Sequence, residues 1–388
     1  MDNKKIDLNA IMLAIYIWMF IVLRVIWVYN ADYSTIILGG LAFIMICISI
    51  IFNRNFISKT FLVGLVLINI LIIALLLDIL FRNNGVISTR LYEFFIYGVI
   101  PIVLMSKVKN FKNFFQVYIL LSIVVFFIYF LDPFNDFLIS TSYMVFGFQV
   151  MLPAFLGFHI GRIEFKYKYF IIFEVITFWL ILFFGNRMAA IACISFLIII
   201  DIFYRNKSYK KILKYVLILL LSIITIINLE SILENVSNYL EGKGLSSYTI
   251  RSTLYYLNGT IDSYSAGRNI LWENAIEMIK NNPIIGWGVG YYESIYNIYV
   301  HNFILEILLS YGMIGFVFFI LLIMNSIIQI VKSEKYLKLF GLIIFCISFP
   351  KLFTSIYIFI EPTFWLFIFY GLFAPIYRKQ NQVSIRKA

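Results

Sequence analysis

Charge is scarce in this chain. Only 13% of its 388 residues are Asp, Glu, Lys or Arg, where a soluble globular domain carries about a quarter. Cysteine is rarer still. Cys47, Cys193 and Cys346 lie inside apolar runs at unrelated spacings, which excludes a disulfide framework and a zinc pattern and leaves small core packing as their role. Histidine occurs only at positions 159 and 301. There is no Asp-x-Asp, and "LDPFND" offers only a loose pair of carboxylates. The N-terminal stretch, "MDNKKIDLNAIMLAIYIWMFIVL", has no small-residue cleavage site and reads as a charged start followed by a full-length span.

Apolar residues make up 62% of the chain and aromatics 19%. They are arranged in runs of about 17 to 25 residues, each long enough to cross a bilayer as a helix. The sequence therefore predicts an all-α polytopic integral membrane protein, a single transmembrane domain over residues 1–388 with about twelve spans. These are expected near 8–29, 35–52, 61–80, 88–105, 114–131, 142–161, 169–184, 188–204, 214–230, 301–325, 339–354 and 357–375. The final pair is interrupted by "FPKLFTSIYIFIEP", with Pro350, Lys351, Glu361 and Pro362.

The formal net charge of +11 does not point to nucleic acid, because the basic residues fall between apolar runs instead of forming a stripe. With the N-terminus inside, 22 of the 31 basic residues fall in cytoplasmic segments, as the positive-inside bias requires. Both termini are accordingly expected in the cytoplasm. The nine exceptions are Arg24, Arg82, Arg90, Arg187, Lys243, Arg251, Arg268, Lys280 and Lys351. Arg24 lies within the first span, and the other eight fall in outer loops or near outer helix ends, where basic residues need a reason.

One connection stands apart. Residues 231–300 form a long, mixed segment on the outer side, expected to carry short amphipathic helices. Loops beyond about fifteen residues in a compact protein are functional or disordered, and this one is too aromatic and patterned for disorder. Within it, "SAGRNILWENAIEMIKNNPIIGWGVGYY" reads as a helix followed by a glycine-rich turn. Leu271, Ala275, Met278 and Ile279 recur at helical spacing, opposite Glu273, Asn274, Glu277 and Lys280. Such a helix would lie flat at the membrane surface with Trp272 at headgroup depth. A second short helix is plausible around Tyr248 to Leu257, carrying Arg251. Gly286, Gly288 and Gly290 could cradle a phosphate, but a glycine cluster without a βα unit more often marks turn residues at positive φ.

The next span opens with "HNFILEILLSYG". Ionisable groups at a membrane edge are functional hypotheses by default, although a lone His at a helix end is often an interfacial residue with no task. Asn302 and Glu306, four residues apart, share one helix face. His159, at the cytoplasmic end of its span, reads as structural. Arg187, in "FFGNRMAAI", begins a span where the free N–H groups of the helix end could help an Arg hold an anion.

Taken together, "GNR" opening a span, "GRNILWENAIEMIKNNPIIGWGVG" and "HNFILEILLSYGMIGF" resemble the O-antigen ligase/polymerase family of bacterial membrane glycosyltransferases. The matching positions are Arg187; Gly267, Arg268 and Trp272; Asn282, Pro283, Gly286, Gly288 and Gly290; His301 and Asn302; Gly312 and Gly315. "GNR" departs from the usual small or hydroxyl residue before the Arg. The resemblance implies a sugar chain on undecaprenyl diphosphate as donor, at the outer face of the bacterial plasma (inner) membrane, with the long loop periplasmic or extracellular. It implies transfer of that glycan to a sugar hydroxyl. With no Asp-x-Asp in the chain no metal or other cofactor is expected, since two arginines would supply the electrostatic stabilisation a divalent ion often gives. Arg187 and Arg268, with Arg251 behind them, would pair with the diphosphate. His301 would be the base, supported by Asn302, Glu306 and Trp272.

The reading favoured is a polymerase of lipid-linked repeat units of O-antigen or capsule. The alternative is a ligase that transfers the glycan to lipid A core, and a flippase of the same lipid-linked sugar is less favoured. Membrane lipids and a chain-length regulator are the further candidate partners.

Overall fold

The computed structural model describes residues 6–27, 31–53, 57–82, 86–130, 143–185, 187–204, 229–244, 250–251, 254–255, 268–353 and 356–387. Among these there is no strand. The helices are α1 (Leu8–Trp27), α2 (Ala31–Phe52), α3 (Lys59–Arg82), α4 (Val86–Ser106), α5 (Phe111–Phe130), α6 (Phe146–Glu164), α7 (Phe170–Phe184), α8 (Arg187–Phe203) and α9 (Leu229–Glu241). They continue with α10 (Arg268–Asn281), α11 (Tyr291–Tyr296), α12 (Phe303–Lys332), α13 (Lys335–Leu352) and α14 (Pro362–Lys387).

Each expected span falls on one of these helices, except the one at 214–230, most of which lies outside the described residues. Five helices among the described residues, α3, α4, α5, α6 and α12, are long and apolar enough to cross a membrane. Shorter apolar helices follow at Leu8–Met19, Gly39–Phe52, Phe170–Leu182 and Met188–Phe203. The described residues are thus those of an all-helical, multi-pass membrane protein, with five candidate full-length spans among them.

The described chain divides into two compact units. The first, residues 1–124 with 270–388, is centred on α14, whose residues Phe364 to Tyr370 are all buried. A helix apolar on every side belongs in an interior, and Trp365 packs there against Phe94, Phe359 and Phe364. α3 behaves differently. Leu62, Val66, Ile70, Ile73, Leu77 and Leu80 are exposed and recur every three or four residues along one face. A long apolar stripe left open to the surroundings is what lipid contact requires.

Proline explains a local departure in α4. Residues Phe95–Val99 widen into a π-turn just before Ile100 and Pro101. Pro101 has no N–H to give and its ring crowds the preceding turn. The hydroxyl of Tyr16 donates to the Ile96 carbonyl at 2.6 Å, satisfying a group the widened turn leaves over. The same sequence logic recurs at Phe146–Met151 before Leu152 and Pro153.

At the other end of this unit, Asp7 caps α1 through Asn9 N at 3.2 Å. Its second oxygen accepts from the amides of Lys109 (2.6 Å) and Asn110 (2.7 Å). One carboxylate thereby ties the chain start to the entrance of α5.

The second unit, residues 125–269, contains α6, α7, α8 and α9. His159 is buried in it, with Nδ1 3.2 Å from Glu174, and Arg162 grips the same carboxylate at 2.5 and 2.9 Å. A buried carboxylate needs such partners.

Candidate active site

The long segment folds back on a break in α12. Gly312 interrupts that helix at φ 60°, ψ −159°, so carbonyls and amides on either side of it lose their helical partners. The glycine-rich turn replaces them. Trp287 N donates to the Leu309 carbonyl at 2.6 Å and Gly288 N to that of Ser310 at 3.0 Å. Met313 N and Ile314 N donate in return to the carbonyls of Pro283 (2.9 Å) and Ile284 (3.3 Å). Irregular backbone within a membrane helix survives only where protein satisfies its polar groups in this way.

The next amide, Val289 N, donates to Asp78 of α3 at 2.9 Å. Three successive N–H groups of "GWGVG" are therefore committed to protein acceptors, and the phosphate-cradle alternative loses the donors it needs. Gly286, Gly288 and Gly290 all have positive φ, so the turn-residue alternative is the one observed.

α10 has the expected helical face. Ala275, Tyr292, Val300 and Leu309 form a small core, against which Leu271, Trp272, Met278 and Ile279 pack. The apolar face of this helix packs in part against the protein's own chain. The Trp272 indole donates to the Val300 carbonyl at 3.0 Å, and the Trp287 indole to that of Met278 at 2.7 Å. The Tyr292 hydroxyl donates to the Leu271 carbonyl at 3.0 Å. Burial, with Tyr296 beside it, raises the Tyr292 phenol above its usual pKa and keeps it a neutral donor.

These bonds fix the strand of chain that delivers His301. Asn297 and His301 both adopt positive φ (55° and 57°), a conformation that bulky residues hold only when their surroundings enforce it. Asn302 then starts α12. Its Oδ1 accepts from Ile304 N at 3.0 Å and Leu305 N at 3.4 Å, a side-chain N-cap. The side-chain oxygen of Asn302, a residue expected to support His301, is thus engaged with the helix end. Glu306 N donates to the Asn302 carbonyl at 2.9 Å.

The imidazole of His301, with a buried Nδ1, packs on the Tyr299 ring at 4.0 Å between centroids. Tyr299 packs in turn on Tyr357 at 5.1 Å. Tyr357 belongs to a cluster that the sequence did not assemble. Its hydroxyl donates to Glu93 at 2.5 Å and accepts from Arg90, which also pairs with Glu93 at 2.6 Å and with Glu293. Arg90 is buried. Glu306, one carboxylate oxygen of which is buried without a hydrogen-bond partner, lies within electrostatic reach of Arg90, Glu93 and Glu293. A second buried pair, Lys351 with Glu361 at 3.1 Å, closes the segment after α13, where Thr363 also donates to Glu361. Arg90 and Lys351 were among the basic residues that broke the inside rule, and pairing with acids is their reason.

Trp272, His301, Asn302 and Glu306 therefore gather where α12 begins. Arg187, Arg251 and Arg268 belong to the second unit. Arg187 opens α8, its side chain outside the described residues, Arg251 is exposed, and Arg268 opens α10 half-buried. Gly267 lies outside the described residues, as does most of the expected short helix at 248–257, of which Ile250, Arg251, Leu254 and Tyr255 are helical.

Residues 172–320 match the O-antigen ligase family model. The matched stretch runs from α7 to the middle of α12 and contains Arg187, Arg251, Arg268, the long loop, His301 and Asn302. The match supports the O-antigen ligase/polymerase-like family that the motifs suggested. No curated protein and no solved structure matches the chain. Arg90 and Tyr357 lie outside the matched stretch.

Proposed function

We propose that this protein moves a glycan from a lipid diphosphate to a sugar hydroxyl at the outer face of the bacterial plasma membrane. The observation that carries the reading is the start of α12. There His301 is held at positive φ between the Trp272–Val300 bond and the Asn302 cap, within the stretch that matches the family. In this reading the neutral imidazole of His301 takes the proton of the acceptor hydroxyl as that oxygen attacks the anomeric carbon. The bond from the anomeric carbon to the diphosphate breaks, and the lipid diphosphate leaves as an anion.

Charge divides the labour. Arg90 is already flanked by Glu93 and Glu293, so it has little left for a diphosphate. Arg187, Arg268 and Arg251 are the residues we assign to the leaving group, because guanidinium forks pair with phosphate oxygens two at a time and offset developing negative charge. Undecaprenyl diphosphate is the lipid carrier in this reading, and both chain termini are cytoplasmic.

The acceptor we favour is a second lipid-linked repeat unit of O-antigen or capsule, which makes the protein a polymerase and a chain-length regulator its candidate partner. The name of the matching family favours a second reading, transfer to lipid A core. Purified protein in liposomes, supplied with the lipid-linked repeat unit as sole substrate, separates the two. A ladder of increasing length supports the polymerase. Transfer only after lipid A core is added supports the ligase, and neither product overturns the proposal.

A further inference from the structure

A cation buried in a membrane-spanning helix needs a purpose. Arg90, on α4, reaches Glu293 at a sequence separation of 203 and the Tyr357 hydroxyl at 267. Its guanidinium carbon lies 3.9 Å from the Tyr357 ring centroid. It thus joins three stretches of the first unit: α4, α11 and the segment after α13.

Two of those stretches lead to His301. Glu293 accepts the amide of Asn297 through its backbone carbonyl at 2.8 Å, so its side chain anchors the turn from which residues 297–302 depart. Tyr357 supplies the face on which Tyr299 rests, and Tyr299 supplies the face for His301. Both ring pairs are tilted, at 43° and 56°, and close ring contacts of specific geometry transmit position. We infer that Arg90 is a positioning residue for His301, acting through Tyr357 and Tyr299 on one side and through Glu293 on the other. The inference deepens the proposed function and rests on it for the meaning of the position, but not for its measurement.

Lysine cannot replace this arginine. One ammonium lacks the planar fork that serves a carboxylate on α4, a carboxylate on α11 and a phenol together. Arg90→Lys keeps the charge that Glu93 and Glu293 require while losing the geometry. Tyr299→Leu interrupts the same relay without touching Arg90, and covers the case in which the Arg90 variant does not fold.

The test uses the full-length protein in liposomes and reads position directly. Diethyl pyrocarbonate acylates imidazole nitrogens, and with only two histidines in the chain, peptide mass mapping assigns the rates. His159, buried in the second unit, is the internal control. We expect Arg90→Lys and Tyr299→Leu each to change the His301 rate severalfold in the same direction, with His159 unmoved. In the transfer assay, kcat falls about tenfold or more with KM for the lipid-linked donor little changed. An unaltered His301 rate in both variants, with only a lower melting temperature, would make Arg90 a structural tie and overturn the inference. Retained transfer in His301→Ala would sink the proposed base while leaving the acylation result intact, so the two failures are distinguishable.

Discussion

A methyl group added to Gly286 would sit 2.6 Å from the amide nitrogen of Gly312 and from the carbonyl oxygen of Leu309. Both glycines have positive φ, 68° and 60°, so an L side chain is strained at either before any contact is counted. Clash and strain together should remove more than about 3 kcal/mol from this junction. Gly286→Ala and Gly312→Ala are expected to unfold the loop and abolish transfer. Gly40, in α2 with nothing within 4 Å of an added Cβ, is the control, and Ala there should be neutral or stabilising by up to about 1 kcal/mol. Thermal unfolding in detergent checks this, and a wild-type melting temperature for Gly312→Ala would contradict the backbone pairing.

Asn302 offers a sharper separation of roles. As the N-cap of α12 it accepts two amides, and Asn302→Ala should lower stability by about 1 kcal/mol, whereas Asn302→Ser keeps a cap and most of that stability. If the cap is what matters, transfer follows the same order. Equal loss of activity in both variants with unchanged melting would instead show that the amide acts on substrate.

Why the sequence reveals one part of this site and conceals another follows from distance along the chain. The helices are legible because apolar runs are local, and Gly286, Gly288 and Gly290 announce a turn for the same reason. Asn302 is legible as a polar residue before an apolar run. Its amide oxygen is taken by the helix amides because those are its nearest unsatisfied donors. The break at Gly312 is not legible, since nothing near it says that residues 283–288 will supply the missing bonds. Arg90 stands out as a cation on the wrong side, yet Glu293 and Tyr357 could not be named as its partners across separations of 203 and 267 residues. The core around Ala275 was concealed for a related reason: periodicity shows that a helix has an apolar face, not which residues will pack on it.

The Trp272 indole donates to the buried Val300 carbonyl, one residue before His301. Trp272→Phe keeps the ring and removes the N–H, leaving a buried acceptor at a cost of about 1–3 kcal/mol. The segment after the exposed Tyr296 should then open more often, and chymotrypsin should cut there faster than in wild type. Unchanged cleavage would mean that the bond does not hold the segment.

Lys107, at the end of α4 outside the span, is pushed down to about 8 by burial, with Lys109 nearby adding to the effect. An unfolded lysine titrates near 10.4. Above that value both states are neutral and burial carries no penalty, while below about 8 both are charged and the penalty is complete. Stability from this group therefore rises with pH between those limits. Lys107→Met should be more stable than wild type at pH 7, and its advantage should shrink as pH is raised from 8 to 9.5. A difference in melting temperature that stays constant across that range would refute the assignment.

In the proposed reaction His301 takes the proton from the acceptor sugar. The most direct measurement is glycan transfer by His301→Ala in liposomes, run beside Arg268→Lys, with melting temperature and membrane insertion recorded for each. A folded, inserted His301→Ala protein with no detectable product is expected, and an Arg268→Lys protein badly impaired because a point charge does not replace the fork. Wild-type transfer by a folded His301→Ala protein would contradict that role for His301.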